Sequence, residues 1–597
     1  MKIRTLKFCI ILILLGAFTC VALPAIAQTL KYGQWLGGKG GGGQIKAAAY
    51  QNAAVNNCDI TDCIVAGGLV SADGNLNIGI TMNGSYGGGQ DGFVIEVADG
   101  GTPSVVWGQF LGGNGSDQVT SLGINGSSIY VGGYSSTTTG MQAVTFQGPA
   151  GGGQDGFVIK ITDGGTPTLN WGQWLGGIGN DQPSVSAVNA TSIYAGGLVG
   201  TTTAMQAVTF QGPFSGSQDC YVIKITDGGT PTLNWGQWLG GINSDSVYAL
   251  AVNGTSIYAG GSVQRTTAMQ ATTFQGPPRG GGEGFVVKIT DGGTPTLNWG
   301  QWLGGISSDQ VNVLSVNGTS IYVGGNVNAT TAIQAVTFQG PTGGGQDGYV
   351  IKITDGGTPT LNWGQWLGGI GGDSVSSLAV NGTSIYVGGH VGTSTAMQAV
   401  TFQGPTGGGQ EGYVIKITDG GTPKLNWGQW LGGAGTDVTN TLALNGSKIY
   451  AGGYITTTSG RQSVTFANTA ANGGSAGFLI EITDGGTPTL NWGQLAPAGG
   501  QAESAQVRAI VGSSSSIIAG GYATQELSFE AVTFQGPYGG GTQDGFVVKI
   551  TDGGTPSLNW GQWLGGISAT GVDTVYALAI NGSSIYVGGT LGVTKAM

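Results

Sequence analysis

The chain has 597 residues, of which 8% are charged, and its formal net charge at pH 7 is −11. An acidic surface repels phosphate backbones, so this composition argues against a nucleic-acid partner. Glycine contributes 122 residues, but a hydrophobic content of 39% and 15 tryptophans exclude a disordered chain. The length would suit several ordinary domains, yet the sequence repeats itself along most of its length.

The first 27 residues have the three parts of a secretory signal peptide. Three basic residues precede position 8, a short apolar run follows, and the segment ends in Ala-Ile-Ala. This pattern predicts cleavage between Ala27 and Gln28, so that the mature chain, 28–597, is secreted or held at the cell surface. The apolar run is too short for a membrane span, and we expect none in the mature chain.

Three cysteines remain after the signal peptide. Cys58 and Cys63 flank a short loop, CDITDC, and an exported protein folds in an oxidising compartment, so we expect a disulfide between them. A pair of metal ligands is the alternative, but no second Cys or His pair accompanies it. Cys220 replaces a repeated glycine, and we expect a free, partly buried thiol there.

A unit of mostly 64 residues recurs along the mature chain. Its clearest copy begins at Trp363 with WGQWLGGIGGDSVSSLAVNGTSIYVGGH and ends before Trp427. The copies open near residues 32, 107, 171, 235, 299, 363, 427, 492 and 560, and the last copy is incomplete. A strict period of this size indicates one repeat domain rather than several separate domains.

Each unit contains four segments of strand length, which in the clearest copy are 375–380, 384–388, 413–418 and 425–431. Asn-Gly joins the first two segments and is a strong hairpin signal. A linker of about 20 residues follows the second segment, and no segment has helical periodicity. The pattern predicts an all-β fold, a β-propeller of four-stranded antiparallel blades with eight complete blades and a partial ninth.

The unit resembles the repeat of a bacterial seven-bladed β-propeller family of secreted and cell-surface proteins. The resemblance rests on WLGG at 366–369, IYVGG at 385–389 and DGYVIK at 347–352. It implies the propeller fold and export, and it brings no catalytic residues with it. This chain departs from the family in having more than seven units. It also stops in mid-unit, so we expect either a fragment or an imperfectly closed ring of blades.

No catalytic constellation can be assembled from the sequence, and we expect no enzyme. The single histidine, His390, stands where four other units carry four different residues, so we interpret it as a tolerated surface variant. One histidine supports neither a Ser-His-Asp nor a Cys-His arrangement. The acids that stand outside the repeat pattern are Glu503, Glu526 and Glu530. Their spacing matches no known catalytic motif. A hydrolase or lyase that works with a carboxylate pair is the minor alternative.

Carboxylates recur at two positions of the unit, one after Leu-Gly-Gly and one before the third strand. Because strands alternate in direction, both sets should lie at the same end of the sheet, where calcium could find clustered oxygen ligands. The calcium candidates are Asp181, Asp245, Asp309 and Asp373. We favour the alternative that each Asp bonds the backbone of its own turn, with no metal and no other cofactor.

The tryptophans favour burial over sugar binding. One tryptophan buries roughly 150–250 Å², which corresponds to ~4–6 kcal/mol before opposing terms. The lysine of the third strand, as at Lys352, is replaced by Glu96 and Glu481 in two units. This exchange predicts a solvated side chain rather than a shared anion site.

The sequence therefore predicts a monomeric, non-catalytic scaffold that binds or adheres to an extracellular protein or a surface glycan. A carbohydrate-binding lectin is the first alternative, and a propeller hydrolase or lyase is the second. The candidate binding surface consists of the long linkers, whose repeated dipeptides are Met205-Gln206, Met269-Gln270, Ile333-Gln334 and Met397-Gln398.

Overall fold

The structure is a computed structural model. It describes residues 43–51, 63–70, 83, 91–99, 103–112, 117–136, 144–148, 150–164, 166–177, 179–200, 210–212, 214, 218–240, 243–264, 274–276, 281–304, 307–328, 338–340, 342, 345–392, 402–404, 409–432, 435–456, 476–496, 505–512, 516–523, 544–551, 557–564, 574–581 and 584–591. All regular elements in these ranges are β-strands. They therefore contain no helix with the length and apolar character that crossing a bilayer requires.

The strands follow the repeat. Units 1 and 2 comprise β1 (Gly43–Gln51), β2 (Cys63–Val70), β3 (Asp91–Asp99), β4 (Pro103–Leu111), β5 (Asp117–Asn125), β6 (Ser128–Ser135), β7 (Phe146–Gln147), β8 (Gly153–Thr162) and β9 (Thr168–Leu175). Units 3 and 4 comprise β10 (Gly179–Asn180), β11 (Gln182–Asn189), β12 (Ser192–Val199), β13 (Phe210–Gln211), β14 (Asp219–Thr226), β15 (Thr232–Leu239), β16 (Ser246–Asn253), β17 (Ser256–Gln264), β18 (Phe274–Gln275), β19 (Gly282–Thr290) and β20 (Thr296–Leu303).

Units 5 and 6 comprise β21 (Asp309–Asn317), β22 (Ser320–Val327), β23 (Phe338–Gln339), β24 (Gly345–Thr354), β25 (Thr360–Leu367), β26 (Gly371–Gly372), β27 (Ser374–Asn381), β28 (Ser384–Val391), β29 (Phe402–Gln403), β30 (Glu411–Thr418) and β31 (Lys424–Trp430). Units 7 to 9 comprise β32 (Asp437–Asn445), β33 (Lys448–Ile455), β34 (Ala476–Thr483), β35 (Thr489–Ala496), β36 (Ala505–Gly512), β37 (Ser516–Ala523), β38 (Asp544–Thr551), β39 (Ser557–Leu564), β40 (Thr574–Asn581) and β41 (Ser584–Leu591).

Each of units 1 to 8 forms its own four-stranded antiparallel sheet, in which strands that are consecutive in the unit are neighbours. The first strands of the nine units are β1, β5, β11, β16, β21, β27, β32, β36 and β40. The first strand of each unit lies beside the first strand of the next. In addition, β1 pairs with β40 and β41, so the last unit lies against the first.

In units 2 to 7 a two-residue loop joins the first and second strands. The first strand ends at Asn, and the next residue takes a positive φ, which is +60° at Gly254 and +58° at Gly382. Glycine at the first loop position suits a type II′ hairpin turn. Unit 3 carries Ala190 there, at a φ of 51°, and it is the one non-glycine with positive φ among the described residues.

Part of the long linker forms a short extra strand that the sequence did not predict. In unit 5, β23 pairs in parallel with β25, the fourth strand. The Phe338 ring stacks on Trp366 with centroids 4.2 Å apart. The stack needs glycine at position 364, since a Cβ there would lie 2.6 Å from Phe338 Cε1. The buried Gln365 amide donates to the Gln339 carbonyl at 3.0 Å and fixes the segment to the sheet.

The hydrophobic core lies between successive sheets. Tyr258 and Trp299 of unit 4 pack in one buried cluster with Ile321 and Ile351 of unit 5, and the same combination recurs at other junctions. The predicted burial of the tryptophans is confirmed where their side chains are described: Trp299 is 1% exposed and Trp302 is 3% exposed. Each unit thus completes its core only by packing on its neighbours.

The predicted β-propeller is wrong: the all-β chain is arranged as a β-solenoid of about nine turns. The resemblance to the seven-bladed family is also wrong, because eight complete sheets and a further strand pair are present in the described residues. The reason is physical. A repeat of four short strands determines the sheet within a unit, whereas the rotation from one unit to the next depends on packing between units.

Candidate functional site

A cluster of four side chains holds consecutive units together, and we call it the junction cluster. At the junction of units 4 and 5 it consists of Tyr258, Lys288, Trp299 and Asp355. The Asp355 carboxylate accepts hydrogen bonds from Trp299 Nε1 at 3.0 Å, Tyr258 Oη at 2.8 Å and Lys288 Nζ at 2.5 Å. Equivalent clusters are centred on Asp227, Asp291, Asp419 and Asp484. They explain why these residue types recur in the repeat.

The junction cluster corrects the expectation of a solvated lysine. The Lys288 side chain is 15% exposed and forms an ion pair with Asp355, which is 12% exposed. In unit 7, where Glu481 replaces the lysine, its carboxylate lies 3.3 Å from Lys448 Nζ. The lysine is therefore a partly buried partner in an ion pair, and the glutamate that replaces it is a buried one.

The junction cluster shifts the pKa values of its members. Burial alone would raise the pKa of Asp355, but the hydrogen bonds from Lys288, Tyr258 and Trp299 outweigh it, and the pKa is lowered. Burial, followed by the hydrogen bond to Asp355, raises the pKa of Tyr258 to about 12. Both shifts favour a neutral tyrosine that donates to an ionised aspartate at neutral pH.

The two repeated sets of carboxylates meet in pairs between consecutive units. Asp155 and Asp181 are both completely buried. A Cβ at Gly176 would lie 2.5 Å from Asp155 Oδ1 and 2.8 Å from Asp181 Oδ2, so both carboxylates converge on that glycine. The pKa of Asp181 is raised to about 6, chiefly by burial and to a smaller extent by the negative charge of Asp155, while backbone hydrogen bonds from Gly177 and Gly200 oppose the rise.

The calcium candidates Asp181, Asp245, Asp309 and Asp373 all belong to such pairs. The N–H of Gly177, four residues before Asp181, donates to its carboxylate at 2.6 Å, and the N–H of Gly200, which follows β12, donates to it at 2.8 Å. In the described residues, no three side chains of His, Cys, Asp or Glu are grouped so that they could hold a metal ion. Calcium prefers six to eight oxygen ligands, so each pair would need further oxygens, and calcium binding stays an untested alternative.

A β-bulge interrupts the first strand of every unit at the same place. Pairing with the second strand skips one residue of the first strand, such as Tyr248 in unit 4 and Arg508 in unit 8. We call these skipped residues the bulge row. They are Lys46, Thr120, Ser184, Tyr248, Asn312, Ser376, Asn440, Arg508 and Tyr576. A bulge redirects a side chain out of the regular alternation and often lies next to a functional site.

Side chains of the bulge row reach from one unit to the next. Thr120 Oγ1 donates to the Pro183 carbonyl at 2.7 Å, and Asn440 Nδ2 donates to the Val507 carbonyl at 3.1 Å. Tyr248 instead leaves 45% of its surface exposed to solvent. Because consecutive first strands are neighbours, the described side chains of the bulge row, from Thr120 to Arg508, follow one another from unit to unit.

A second variable position lies beside the bulge row on the second strand. Its described members are Tyr134, Leu198, Ser262, Asn326, His390, Tyr454 and Tyr522. Asn312 Nδ2 lies 3.1 Å from Asn326 Oδ1, and the Arg508 guanidinium lies over the Tyr522 ring, 5.6 Å from its centroid. The two variable positions therefore lie side by side, whereas the junction clusters keep the same residues in most units.

The expected role of His390 is corrected by its place beside the bulge row. It is not a surface variant: its ring is mostly buried, and burial lowers its pKa to about 4. A neutral imidazole with this pKa is a weak base. The variation at its position was visible in the sequence, but the bulge that groups it with the row was not.

Other predicted residues have different outcomes. Cys220 is completely buried rather than partly buried, and its thiol donates to the Leu239 carbonyl. Cys58 lies outside the described residues, as do the signal peptide, the dipeptides of the long linkers and the three acids of unit 8. The disulfide with Cys63, the cleavage after Ala27 and the linker surface therefore stay predictions.

Comparison with known proteins gives little further information. No model of a known protein family matches the chain. A regulatory protein, FlaEY of Caulobacter vibrioides, is 28% identical over 302 residues, which are 47% of this chain and 29% of that protein. The chain thus spans less than a third of this relative's length.

Solved structures give only distant likenesses. A putative 6-phosphogluconolactonase from Bacteroides fragilis has a TM-score of 0.28 at 10% identity, over 68% of this chain and 97% of its own. An apocarotenoid oxygenase variant from Synechocystis has a TM-score of 0.30 at 8% identity, over 88% of this chain and 97% of its own. The designed protein Ika8 has a TM-score of 0.26 at 12% identity, over 70% of this chain and 96% of its own. At these scores the likenesses establish neither a fold nor a function for this chain.

Proposed function

We propose that this protein is an exported, non-catalytic binding scaffold of the cell surface or its surroundings, and that the bulge row is its binding surface. The observation that supports this proposal is the contrast between constant and variable positions within one chain. The residues of the junction clusters recur with little change, whereas the bulge row presents six residue types at nine positions. Such a row suits one composite site better than nine identical weak ones.

The partners proposed are an extracellular protein or a surface glycan. The described members of the row offer hydroxyl and amide groups, the exposed Tyr248 ring and the Arg508 guanidinium. Aromatic side chains and arginine contribute most to protein interfaces, and an exposed aromatic ring flanked by hydrogen-bonding groups also suits a sugar. The lectin alternative is favoured specifically by Tyr248, whose neighbours in the row are Ser184 and Asn312.

Two variants of the bulge row test the proposal. Tyr248→Ala removes an exposed ring without opening the core, and Ser184→Trp adds bulk at an exposed position. Lys424→Gln, at an exposed position outside the row, is the matched control. The mature chain and the variants are screened on a glycan array and by pull-down of surface proteins.

We expect the two row variants to weaken binding of the captured partner at least fivefold, and the control to bind as the parent does. A partner whose affinity is unchanged by both row variants would show that the binding surface lies elsewhere, and the long linkers would be examined next.

A further inference from the structure

The variable positions of the site carry no charge over six consecutive units. A third variable position stands two residues before the bulge and pairs with the second-strand position. In units 2 to 7 it is occupied by Gln118, Gln182, Ser246, Gln310, Ser374 and Val438. The chain has 19 basic and 30 acidic residues, yet none of them occupies any of the three positions in these units. His390, which does, is neutral at pH 7 because burial lowers its pKa to about 4.

The repeated acids next to these positions are buried. Asp309 directly precedes Gln310 and is 2% exposed, and Asp245 holds the equivalent place in unit 4 at 1% exposure. Successive residues of a strand point to opposite faces, which separates these acids from the variable positions. The described cation of the bulge row, Arg508, belongs to unit 8, four units beyond unit 4. A ligand at the variable positions of units 3 to 5 therefore meets only uncharged groups there.

Tyr248 differs from the other row members in having an accessible ring and no tie to the next unit. Thr120 Oγ1, Asn312 Nδ2 and Asn440 Nδ2 each donate to the carbonyl of the residue that precedes the next bulge, at 2.7, 3.0 and 3.1 Å. The Tyr248 hydroxyl forms no hydrogen bond with the part of the chain that the structure describes, and 45% of the residue is exposed. Its ring and its hydroxyl are therefore both available to a ligand.

The neighbours of Tyr248 leave space beside the ring. Strands β11 and β21 lie on either side of β16. On the unit 3 side, Ser184 is small and exposed. On the unit 5 side, the Asn312 amide is directed away, since it donates to the Val375 carbonyl of unit 6. Gln310 Nε2 donates to Asn312 Oδ1, which fixes the Gln310 amide, and no described residue donates to the Gln310 side-chain oxygen.

We propose that Tyr248 is the centre of a binding site for an uncharged saccharide on units 3 to 5. The apolar C–H face of one sugar ring packs on the Tyr248 ring, and hydroxyl groups of the saccharide hydrogen-bond with Ser184 and Gln310. An acidic saccharide would find no cation at these positions to offset the desolvation of its charges. A protein interface typically relies on several aromatic or arginine anchors, whereas the described residues here offer one exposed ring, which suits one or two sugar units.

The inference rests on the proposed function, so its test must separate the two. The mature chain is titrated by calorimetry with uncharged hexasaccharides of glucose, mannose and N-acetylglucosamine, and with a heparin-derived hexasaccharide as the acidic comparison. Tyr248→Ala removes the ring and Tyr248→Phe retains it. Ser184→Glu places a charge beside the ring, and Lys424→Gln changes a charge at an exposed position outside the row. Saturation-transfer NMR shows which sugar protons contact an aromatic ring, and thermal melting verifies that every variant is folded.

We expect one of the uncharged saccharides to bind and the acidic one to bind at least tenfold more weakly. The loss of a stacked ring should reduce affinity about tenfold in Tyr248→Ala, whereas Tyr248→Phe should stay within about threefold of the parent. Ser184→Glu should weaken binding about fivefold, and Lys424→Gln should change it less than twofold.

Two results would overturn this inference: preferred binding of the acidic saccharide, or a folded Tyr248→Ala variant that binds the uncharged one as the parent does. If no saccharide binds but Tyr248→Ala weakens capture of a surface protein, the inference is wrong and the proposed function survives. If no row variant affects any saccharide or protein partner, both proposals are wrong.

Discussion

The junction cluster predicts a specific loss of stability when its aspartate is removed. Asp355→Ala leaves Lys288 Nζ, Tyr258 Oη and Trp299 Nε1 without their common acceptor. Both members of the ion pair are largely shielded from solvent, at 12% and 15% exposure. Removing one partner of a buried pair costs ~3–5 kcal/mol. We therefore expect the free energy of unfolding of the affected units to fall by about 3 kcal/mol.

The loss should be local, because each unit contacts mainly its neighbours. Hydrogen exchange followed by mass spectrometry is the appropriate assay, and amides of β19, β20 and β24 should exchange about 100-fold faster, since 1.36 kcal/mol corresponds to a factor of ten. The equivalent cluster at Asp227, between units 2 and 3, is an internal control and should keep its protection. Asp355→Asn retains one acceptor oxygen and should lose about half as much.

Two results would refute this reasoning. If Asp355→Ala accelerated exchange less than fivefold in unit 4, the three hydrogen bonds would contribute little to the junction. If exchange rose equally at Asp227, the units would unfold together rather than locally, and the estimate for a single junction would not apply.

Four further predictions concern the turn, the carboxylate pairs, the linker strand and calcium. Ala190→Gly should raise the free energy of unfolding by ~0.5–1 kcal/mol, because glycine adopts a positive φ without the strain that alanine has at 51°; a chemical denaturation curve that does not shift would contradict this. The pKa of Asp181 is raised from 3.8 to about 6, so the folded state keeps a proton that the unfolded state releases between these values. The free energy of unfolding should therefore fall by roughly 2–3 kcal/mol as pH rises from about 4 to about 6, and melting curves of Asp181→Asn should lack this part of the pH dependence. For Asp355, whose pKa is lowered, the stabilisation is instead lost as pH falls below 3.8. Gly364→Ala places a methyl group 2.6 Å from a ring carbon of the stacked phenylalanine and should cost ~1–3 kcal/mol by overpacking; unchanged exchange at β23 would contradict it. Because the described pairs offer two acids each, calcium at millimolar concentration should leave the melting midpoint within 1 °C or so, and a rise that EDTA reverses would establish a metal site.

The variable positions of the site were present in the sequence, but their grouping was not. His390 was noticed because other units carry different residues at its position. The bulge residues vary in the same way, yet a bulge depends on pairing between strands, which a single strand does not reveal. The junction cluster was missed for a similar reason: Lys288 and Asp355 are 67 residues apart, and only packing of consecutive units brings them together.

The sequence by itself determined the repeat, the four strands of each unit, the hairpin at Asn-Gly and the burial of the tryptophans. These features depend on local chemistry: alternation of apolar residues, glycine at positive φ, and aromatic surface that must leave water. The arrangement of the sheets as a solenoid was decided only by the tertiary structure, as were the burial of the lysines, the pairing of the carboxylates and the line of bulged side chains. Each of these depends on how one unit packs against the next, and residues more than 60 positions apart carry no local signal of that packing.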